Sequence, residues 1–159
     1  MLQSSLIYRK LTAKDSLAYR EIRLESLVEF PEAFGSNYEQ QLAKPKLAFQ
    51  GFLEQDAVHK VFGCFTQNEL LGICAYFRTD NSAELIQVYL KPAYHGHGIG
   101  KQLLTSLIDF AKSDGVTCLD LGVAEQNSSA IRTYQSLGFV LKESQSNTTA
   151  CDLLFTLQF

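Results

Sequence analysis

Three apolar, β-rich runs dominate the middle of the chain. They span residues 60–66, 70–78 and 83–90. β-Branched and aromatic side chains recur in these runs, and the short polar segments between them are typical of turns. Because runs joined by tight turns pair in antiparallel fashion, this region is predicted to form a three-stranded meander.

The pattern then changes to a helical period. Apolar residues recur every three or four positions from Ile99 to Ala111, which predicts an amphipathic helix over residues 98–113. Alternating apolar residues at 118–123 predict another strand. Since a helix connects it to residues 83–90, these two strands are expected to be parallel.

The two ends of the chain supply the remaining elements. Residues 6–11 predict a strand, and Thr12 and Asp15 stand at capping-box spacing before a helix that continues to Glu29. Residues 31–53 predict short helices, residues 128–137 a further helix, and residues 139–143 with 151–157 a closing hairpin.

The first helix has two faces of different polarity. Its apolar side carries Leu17, Leu24, Leu27 and Val28. This side is predicted to pack against the protein. Tyr19, Arg23 and Ser26 lie on the other side, which is expected to face solvent or substrate.

Chain length, net charge and the lengths of the apolar runs limit the classes of protein to which this chain can belong. A chain of 159 residues buries one core and needs no second domain. The net charge of −3 with scattered basic residues argues against nucleic acid as a partner. Apolar runs fall far short of the roughly 20 residues of a membrane helix, and no secretory signal is visible, so we expect a cytoplasmic protein with no membrane partner.

The four cysteines do not form a recognisable metal or redox motif. Cys64, Cys74, Cys118 and Cys151 lie far apart among apolar residues. Zinc and redox sites place cysteines at close, regular spacing. All four are therefore predicted to be small buried residues.

A glycine-rich loop follows the third strand of the meander. Gly96, Gly98 and Gly100 alternate just where the helix over residues 98–113 begins. Glycines let backbone amides approach a ligand closely, and a helix N-terminus adds unpaired donors and a partial positive charge. This arrangement favours a phosphorylated cofactor.

Two familiar phosphate-binding loops do not fit. A P-loop has four residues between its first glycine and its Gly-Lys pair, and Ser or Thr follows, whereas Gly96 and Gly100 enclose three and Gln102 follows Lys101. A dinucleotide fingerprint needs a third glycine where Lys101 stands. Both motifs are excluded by spacing.

The loop does resemble the acyl-CoA motif of the GNAT superfamily of N-acetyltransferases, V-x-P-x-x-[RQ]-G-x-G-[IV]-G followed by paired leucines. Here the sequence reads LKPAYHGHGIGKQLL. The family also carries a later signature, N-x-x-A-[IL]-x-x-Y-x-x-x-G-F, and residues 127–139 read NSSAIRTYQSLGF. The early segment IRLESLVEFPEAFGSNYEQ resembles bacterial members.

The resemblance implies a fold and a domain organisation. We expect residues 1–159 to form a single N-acetyltransferase domain of α+β class, an α/β three-layer arrangement. Its sheet is expected to be mixed and mostly antiparallel, with six to seven strands and about four helices. The central parallel strands splay apart in this family, and the pantetheine arm of acetyl-CoA enters the gap.

The resemblance also implies catalytic roles. Glu84 matches a glutamate that acts as a base or positions water, and it is equally an ordinary strand carboxylate. Tyr134 matches a tyrosine that protonates the departing sulfur, and a tyrosine keeps its proton at neutral pH. Asn127 fits both a helix cap and a bond to pantetheine.

The acetyl-CoA site follows by the same correspondence. The Val88 amide is expected to polarise the thioester carbonyl. The cofactor-binding residues are expected to be Val88, Leu90, His95, Gly96, His97, Gly98, Gly100, Lys101, Asn127 and Tyr134. His95 stands where relatives carry Arg or Gln, which puts its phosphate contact in doubt. No metal is expected, because His95 and His97 have no evident third ligand.

The predicted activity is transfer of an acetyl group from acetyl-CoA to a primary amine of a small molecule or protein, by direct attack in a ternary complex. A catalytically inactive CoA-binding module and a binder of another nucleotide are the alternatives. Glu25, Glu32 and Glu39 are candidates for attracting a cationic amine, and a solvated surface explains them as well. A homodimer is compatible with this class of domain.

Overall fold

The computed structural model describes residues 5–30, 37–144 and 153–159. Its strands are β1 (Ile7–Lys10), β2 (Lys60–Thr66), β3 (Glu69–Thr79), β4 (Ser82–Leu90), β5 (Cys118–Val123), β6 (Val140–Ser144) and β7 (Leu153–Gln158). They form one sheet in the order β1-β2-β3-β4-β5-β7-β6. Neighbours are antiparallel except β4 and β5, which run parallel.

Five α-helices occur in the described part of the chain. They are α1 (Ser16–Glu29), α2 (Tyr38–Leu42), α3 (Ala48–Gln55), α4 (Ile99–Ser113) and α5 (Ser128–Ser136). Short 3-10 turns precede α1 and α4, at Ala13–Asp15 and Pro92–Tyr94. Within these described residues, no helix combines the length and the apolar character needed to cross a bilayer.

This arrangement confirms the predicted three-layer α+β fold. The sheet is mixed and mostly antiparallel, its parallel pair is central, and helices cover both faces. The predicted strands and helices are present, with small shifts at their ends. Residues 31–36 of the predicted short-helix region and residues 145–152 of the predicted hairpin lie outside the described residues, and these include Glu32 and Cys151.

The sheet separates two apolar cores. Alternation along β3 directs Cys74 and Tyr76 to the side of α4 and α5, and Ile73 and Ala75 to the side of α1 and α3. Cys74 is fully buried, and Cys64 is buried in the same core. The prediction for Cys118 is wrong, because this residue at the start of β5 is only half-buried.

The packed face of α1 also differs from the prediction. Its buried residues are Ser16, Tyr19, Ile22, Arg23, Ser26 and Leu27. Leu17 and Val28 are instead 74% and 59% exposed. The expectation that Tyr19, Arg23 and Ser26 face solvent is therefore wrong. Their polar atoms find partners inside the protein, as where the Tyr19 hydroxyl donates to Gln87 at 2.7 Å.

β4 and β5 separate after a short stretch of pairing. Ser82, Ala83 and Glu84 pair with residues 118–120 of β5, and pairing then stops. β4 nevertheless continues to Leu90 along β3, and β5 continues to Val123 along β7. The remaining halves of the two central strands therefore border a gap, as the resemblance predicted.

A β-bulge lies beside this gap. Ile73 pairs with Tyr89 and Ala75 with Ile86, so one residue of β3 faces two residues of β4, Gln87 and Val88. Such an extra residue shifts the alternation of the bulged strand. Residues 86 and 87 consequently both lie on the α1 side, where Ile86 joins the core and Gln87 meets α1.

Candidate functional site

The glycine loop between β4 and α4 has the geometry of a close backbone approach. Gly96 and Gly98 have φ of +83° and +77°, values that favour glycine. A side chain built at Gly96, Gly98 or Gly100 would meet no atom within 4 Å. The space beside the loop is therefore open to a ligand.

The amides of the loop are available to an anion. Among the described residues, no acceptor is recorded for the backbone N–H groups of Gly96, Gly98 or residues 99–101, whereas the next amide, that of Gln102, donates to the Gly98 carbonyl at 3.1 Å. The N-terminus of a long helix such as α4 adds a partial positive charge. This group of donors fits the diphosphate of CoA.

The imidazole of His95 is engaged at the end of β4. Its Nε2 lies 2.7 Å from the Leu90 carbonyl oxygen, and because a carbonyl only accepts, Nε2 carries the proton. Nδ1 is then the ring nitrogen that the strand does not engage. A direct phosphate contact by His95, in place of Arg or Gln, stays a prediction.

The register of β4 directs two of its amides into the gap. The Lys91 N–H donates to the carbonyl of Leu71 in β3 at 3.0 Å. Two residues earlier, Tyr89 lies opposite Ile73 of β3. In an antiparallel pair, alternate residues turn their N–H and C=O groups away from the partner strand. Val88 and Leu90 therefore present these groups to the gap.

Asn127 caps α5. Its side-chain oxygen accepts a hydrogen bond from the Ala130 N–H at 3.3 Å, which confirms the capping role predicted from the residue type. Its predicted bond to pantetheine is a separate role that stays a prediction.

Tyr134 lies in the core on the α4 side. Its ring packs edge-on against Phe139, with centroids 5.8 Å apart, and no partner for its hydroxyl is recorded in the described residues. Burial, with a smaller contribution from Cys74, raises the pKa of Tyr134 to about 12. Cys74 is the β3 residue opposite the bulge, and Tyr134, Cys74 and Val88 pack in the same core.

Glu84 occupies the opposite face of the sheet. Ala83 and Leu85 belong to the α4-side core, so the alternation of β4 turns Glu84 toward the α1 side, where it is exposed. It lines a cavity of about 280 Å³. The lining residues are Phe77, Thr79, Ser82, Ala83, Glu84, Asp120, Leu121, Lys142 and Leu154.

Asp120 is a site residue that the sequence reading missed. It pairs directly with Glu84 across the parallel strands, and its Oδ2 lies 3.5 Å from Lys142 Nζ. Its Oδ1 is shielded from solvent and has no hydrogen-bond partner in the described residues. In the sequence, the one indication was an acidic residue between the apolar residues Leu119 and Leu121. Only the strand pairing shows that it lies beside Glu84.

The structure thus divides the predicted site residues between the two faces. Val88, Leu90 and Tyr134 lie along the gap and the α4-side core. Glu84 lies across the sheet, at the last paired position before the gap opens. The two candidate catalytic side chains therefore lie on opposite faces of the sheet. The described residues contain no cluster of three potential metal ligands.

Comparison with known proteins agrees with this geometry. Residues 20–139 match the model of the acetyltransferase (GNAT) family. A stretch of 54 residues is 43% identical to an L-methionine sulfoximine/L-methionine sulfone acetyltransferase of Salmonella typhimurium, and covers 34% of this chain and 32% of that protein.

Two longer matches come from Thermoplasma acidophilum. A spermidine N(1)-acetyltransferase is 29% identical over 150 residues, 90% of this chain and 93% of that protein. The crystal structure of PaiA N-acetyltransferase in complex with coenzyme A superposes with a TM-score of 0.77 at 25% identity, covering 98% of this chain and 99% of that one. A protein with this loop, gap and similarity binds acetyl-CoA, and the chain belongs to the GNAT family of acetyltransferases.

Proposed function

We propose that residues 1–159 act as one domain that transfers an acetyl group from acetyl-CoA to a primary amine by direct attack within a ternary complex. The observation that carries this proposal is the parting of β4 and β5 after Glu84. The Val88 and Leu90 amides border that opening, and the amides of Gly96, Gly98 and residues 99–101 lie in the loop that follows β4.

The donor is held mainly by backbone groups. Amides of the loop from Gly96 to Lys101 bind the diphosphate, and Val88 and Leu90 bind the arm in the gap, with Asn127 contributing from α5. The thioester supplies an activated acetyl group. The Val88 N–H stabilises the negative charge that develops on its carbonyl oxygen during attack.

The reaction uses one side chain from each face. The amine nitrogen attacks the carbonyl carbon, Glu84 takes the amine proton directly or through water, and the C–S bond breaks with its electron pair on sulfur. The Tyr134 hydroxyl donates a hydrogen bond to this sulfur. Since burial raises the pKa of Tyr134 to about 12, complete transfer to a thiolate whose thiol has a pKa near 8.5 is uphill by on the order of 5 kcal/mol, so hydrogen bonding is its main contribution.

A cationic small amine is the proposed acceptor. Two carboxylates, Glu84 and Asp120, line the cavity on the α1 side, and among its described lining residues Lys142 is the one cation that offsets them. An ammonium group suits this negative charge better than an amino acid with its own carboxylate does. The similarity to a spermidine N(1)-acetyltransferase over 90% of the chain supports the same class.

The test is an acceptor screen with acetyl-CoA, in which thiol release is followed with spermidine, a neutral-tailed alkylamine, a free amino acid and a peptide with a free N-terminus. Spermidine is expected to give the highest kcat/KM. Calorimetric titration with CoA accompanies the screen.

Tight CoA binding without turnover on any amine would support the inactive CoA-binding module instead. Absence of CoA binding would refute the proposed function altogether. A cytoplasmic location and a homodimer stay predictions.

A further inference from the structure

The part of β4 that borders the gap has an unusual backbone conformation. Gln87 has a φ of +55°, in the left-handed region where a side chain crowds the backbone. Asp56 and Asp80 share this feature among the described non-glycine residues, but they lie outside strands, and aspartate tolerates it. Gln87 alone of these lies within a strand.

This bulge decides which amides face the gap. Ile73 and Ala75 stand two residues apart on β3, whereas their partners Tyr89 and Ile86 stand three apart on β4. If Ile86 stayed opposite Ala75 and the extra residue were absent, Val88 would stand opposite Ile73, where Tyr89 now stands. Its N–H would then point at β3. The bulge at Gln87 therefore turns the Val88 amide toward the gap.

Helix α1 supports the strand at this place. The buried Tyr19 hydroxyl donates to Gln87 Oε1 at 2.7 Å. Further along, the Glu25 carboxylate accepts from the Tyr89 hydroxyl at 2.7 Å and from Lys91 Nζ at 2.9 Å. β5 has stopped pairing with β4 here, so these side-chain bonds support a stretch of strand that has a neighbour on one edge only.

We propose that Tyr19 and Gln87 are positioning residues that keep the Val88 amide aimed at the thioester carbonyl. This inference rests on the proposed function, in which that amide stabilises the developing negative charge. Tyr19 acts through the side chain of Gln87, and Gln87 acts through the direction of its own backbone. A strained bulge persists when surrounding contacts hold it, and the Tyr19 hydroxyl is such a contact.

The primary experiment measures the carbonyl group itself. Acetyl-CoA labelled with ¹³C at the acetyl carbonyl is bound to the protein, and its infrared carbonyl band is compared with that of the free compound. In the wild type, donation from the Val88 N–H is expected to move the band to lower frequency. In Tyr19→Phe, which removes only the hydroxyl, the band is expected to return most of the way toward the free value.

Turnover gives a second readout. With spermidine as the acceptor, Tyr19→Phe is expected to lower kcat about 10-fold, a part of the 10²- to 10³-fold that loss of a whole oxyanion donor costs. Gln87→Asn provides a second route, because asparagine tolerates the left-handed backbone but is too short to reach Tyr19. The double variant is expected to cost no more than the larger single effect, since both changes break one bond.

A matched control separates positioning from stability. The Tyr76 hydroxyl donates to Asp114 at 2.7 Å, at the far end of α4. Tyr76→Phe removes a bond of equal length and is expected to lower the melting temperature while leaving the band and kcat unchanged. If the band and kcat of Tyr19→Phe and Gln87→Asn match those of Tyr76→Phe, the inference is overturned. If the wild type shifts no carbonyl band because acetyl-CoA does not bind, the proposed function fails first.

Discussion

The two faces of the sheet offer different kinds of groups to the gap between β4 and β5. On the α4 side these groups are mainly backbone amides, those of the glycine loop and of Val88 and Leu90. On the α1 side they are charged side chains, Glu84 and Asp120 beside Lys142. A backbone amide survives substitution of its side chain, whereas a carboxylate does not. Donor binding should therefore respond to backbone changes, and acceptor use to single side chains and to pH.

Tyr134 is the exception on the α4 side, and its loss should have the largest effect. Tyr134→Phe is expected to lower kcat about 100-fold, the range for loss of one hydrogen-bond donor to a developing negative charge, with the CoA dissociation constant unchanged by calorimetry. Because burial raises the pKa of Tyr134 to about 12, the hydroxyl stays protonated as the pH rises, so it should cause no fall in kcat up to pH ~10. A lowered CoA affinity with normal kcat would contradict this role.

Loss of Glu84 should come next. Glu84→Gln is expected to lower kcat/KM about 30-fold at neutral pH, because an alkylamine with a pKa near 10.4 is then protonated and needs a base. The deficit should shrink as the pH approaches that value and the amine loses its proton unaided. A pH-rate profile in which wild type and variant run parallel would exclude Glu84 as the base.

A backbone change tests the other face. Gly98 has φ of +77°, and an alanine there costs about 1–2 kcal/mol. Gly98→Ala is therefore expected to weaken CoA binding about 10-fold through misplacement of the loop. Gly51→Ala is the matched control, since a side chain at this position in α3 meets no atom within 4 Å. Equal CoA affinities for both variants would remove the loop from the proposed site.

A milder change on the α1 side sharpens the contrast. Asp120→Asn keeps the shape of the side chain and removes its charge, so the KM for spermidine is expected to rise roughly fivefold, as for a partly screened ion pair. CoA affinity should stay the same. The KM for a neutral-tailed alkylamine serves as the control, and an equal rise there would mean that shape and not charge is responsible.

The smallest effect concerns the end of β4. Burial opposes ionisation of Glu25, but hydrogen bonds from Lys91 and Tyr89 outweigh it and hold the pKa of Glu25 below its usual value. The stability from this interaction is thus present at neutral pH and is lost as the pH falls through the lowered pKa. Glu25→Gln should reduce the melting temperature by about 2 °C at pH 7. The difference between the two proteins should begin to shrink near pH ~4 and should vanish once the pH lies below the lowered pKa of Glu25.

Features that depend only on residues close together in the chain were predictable from the sequence. The loop from Gly96 to Gly100, the start of α4 and the Asn127 cap depend on backbone conformation and hydrogen bonds within a few positions. Helical and strand periods likewise placed the elements with small errors. The packed face of α1 was predicted wrongly, since hydropathy does not reveal that Tyr19 has a hydrogen-bond partner in β4.

The sequence by itself therefore determined the order of the elements, the glycine loop and the likeness to acetyltransferases, because each depends on a short stretch of consecutive residues. Only the tertiary structure decided that Glu84 and Asp120 share a cavity, that Tyr134 lies on the other face, and that Tyr19 meets a residue 68 positions away. Such contacts depend on strand register and on one extra residue in a bulge, and neither is set by local preference.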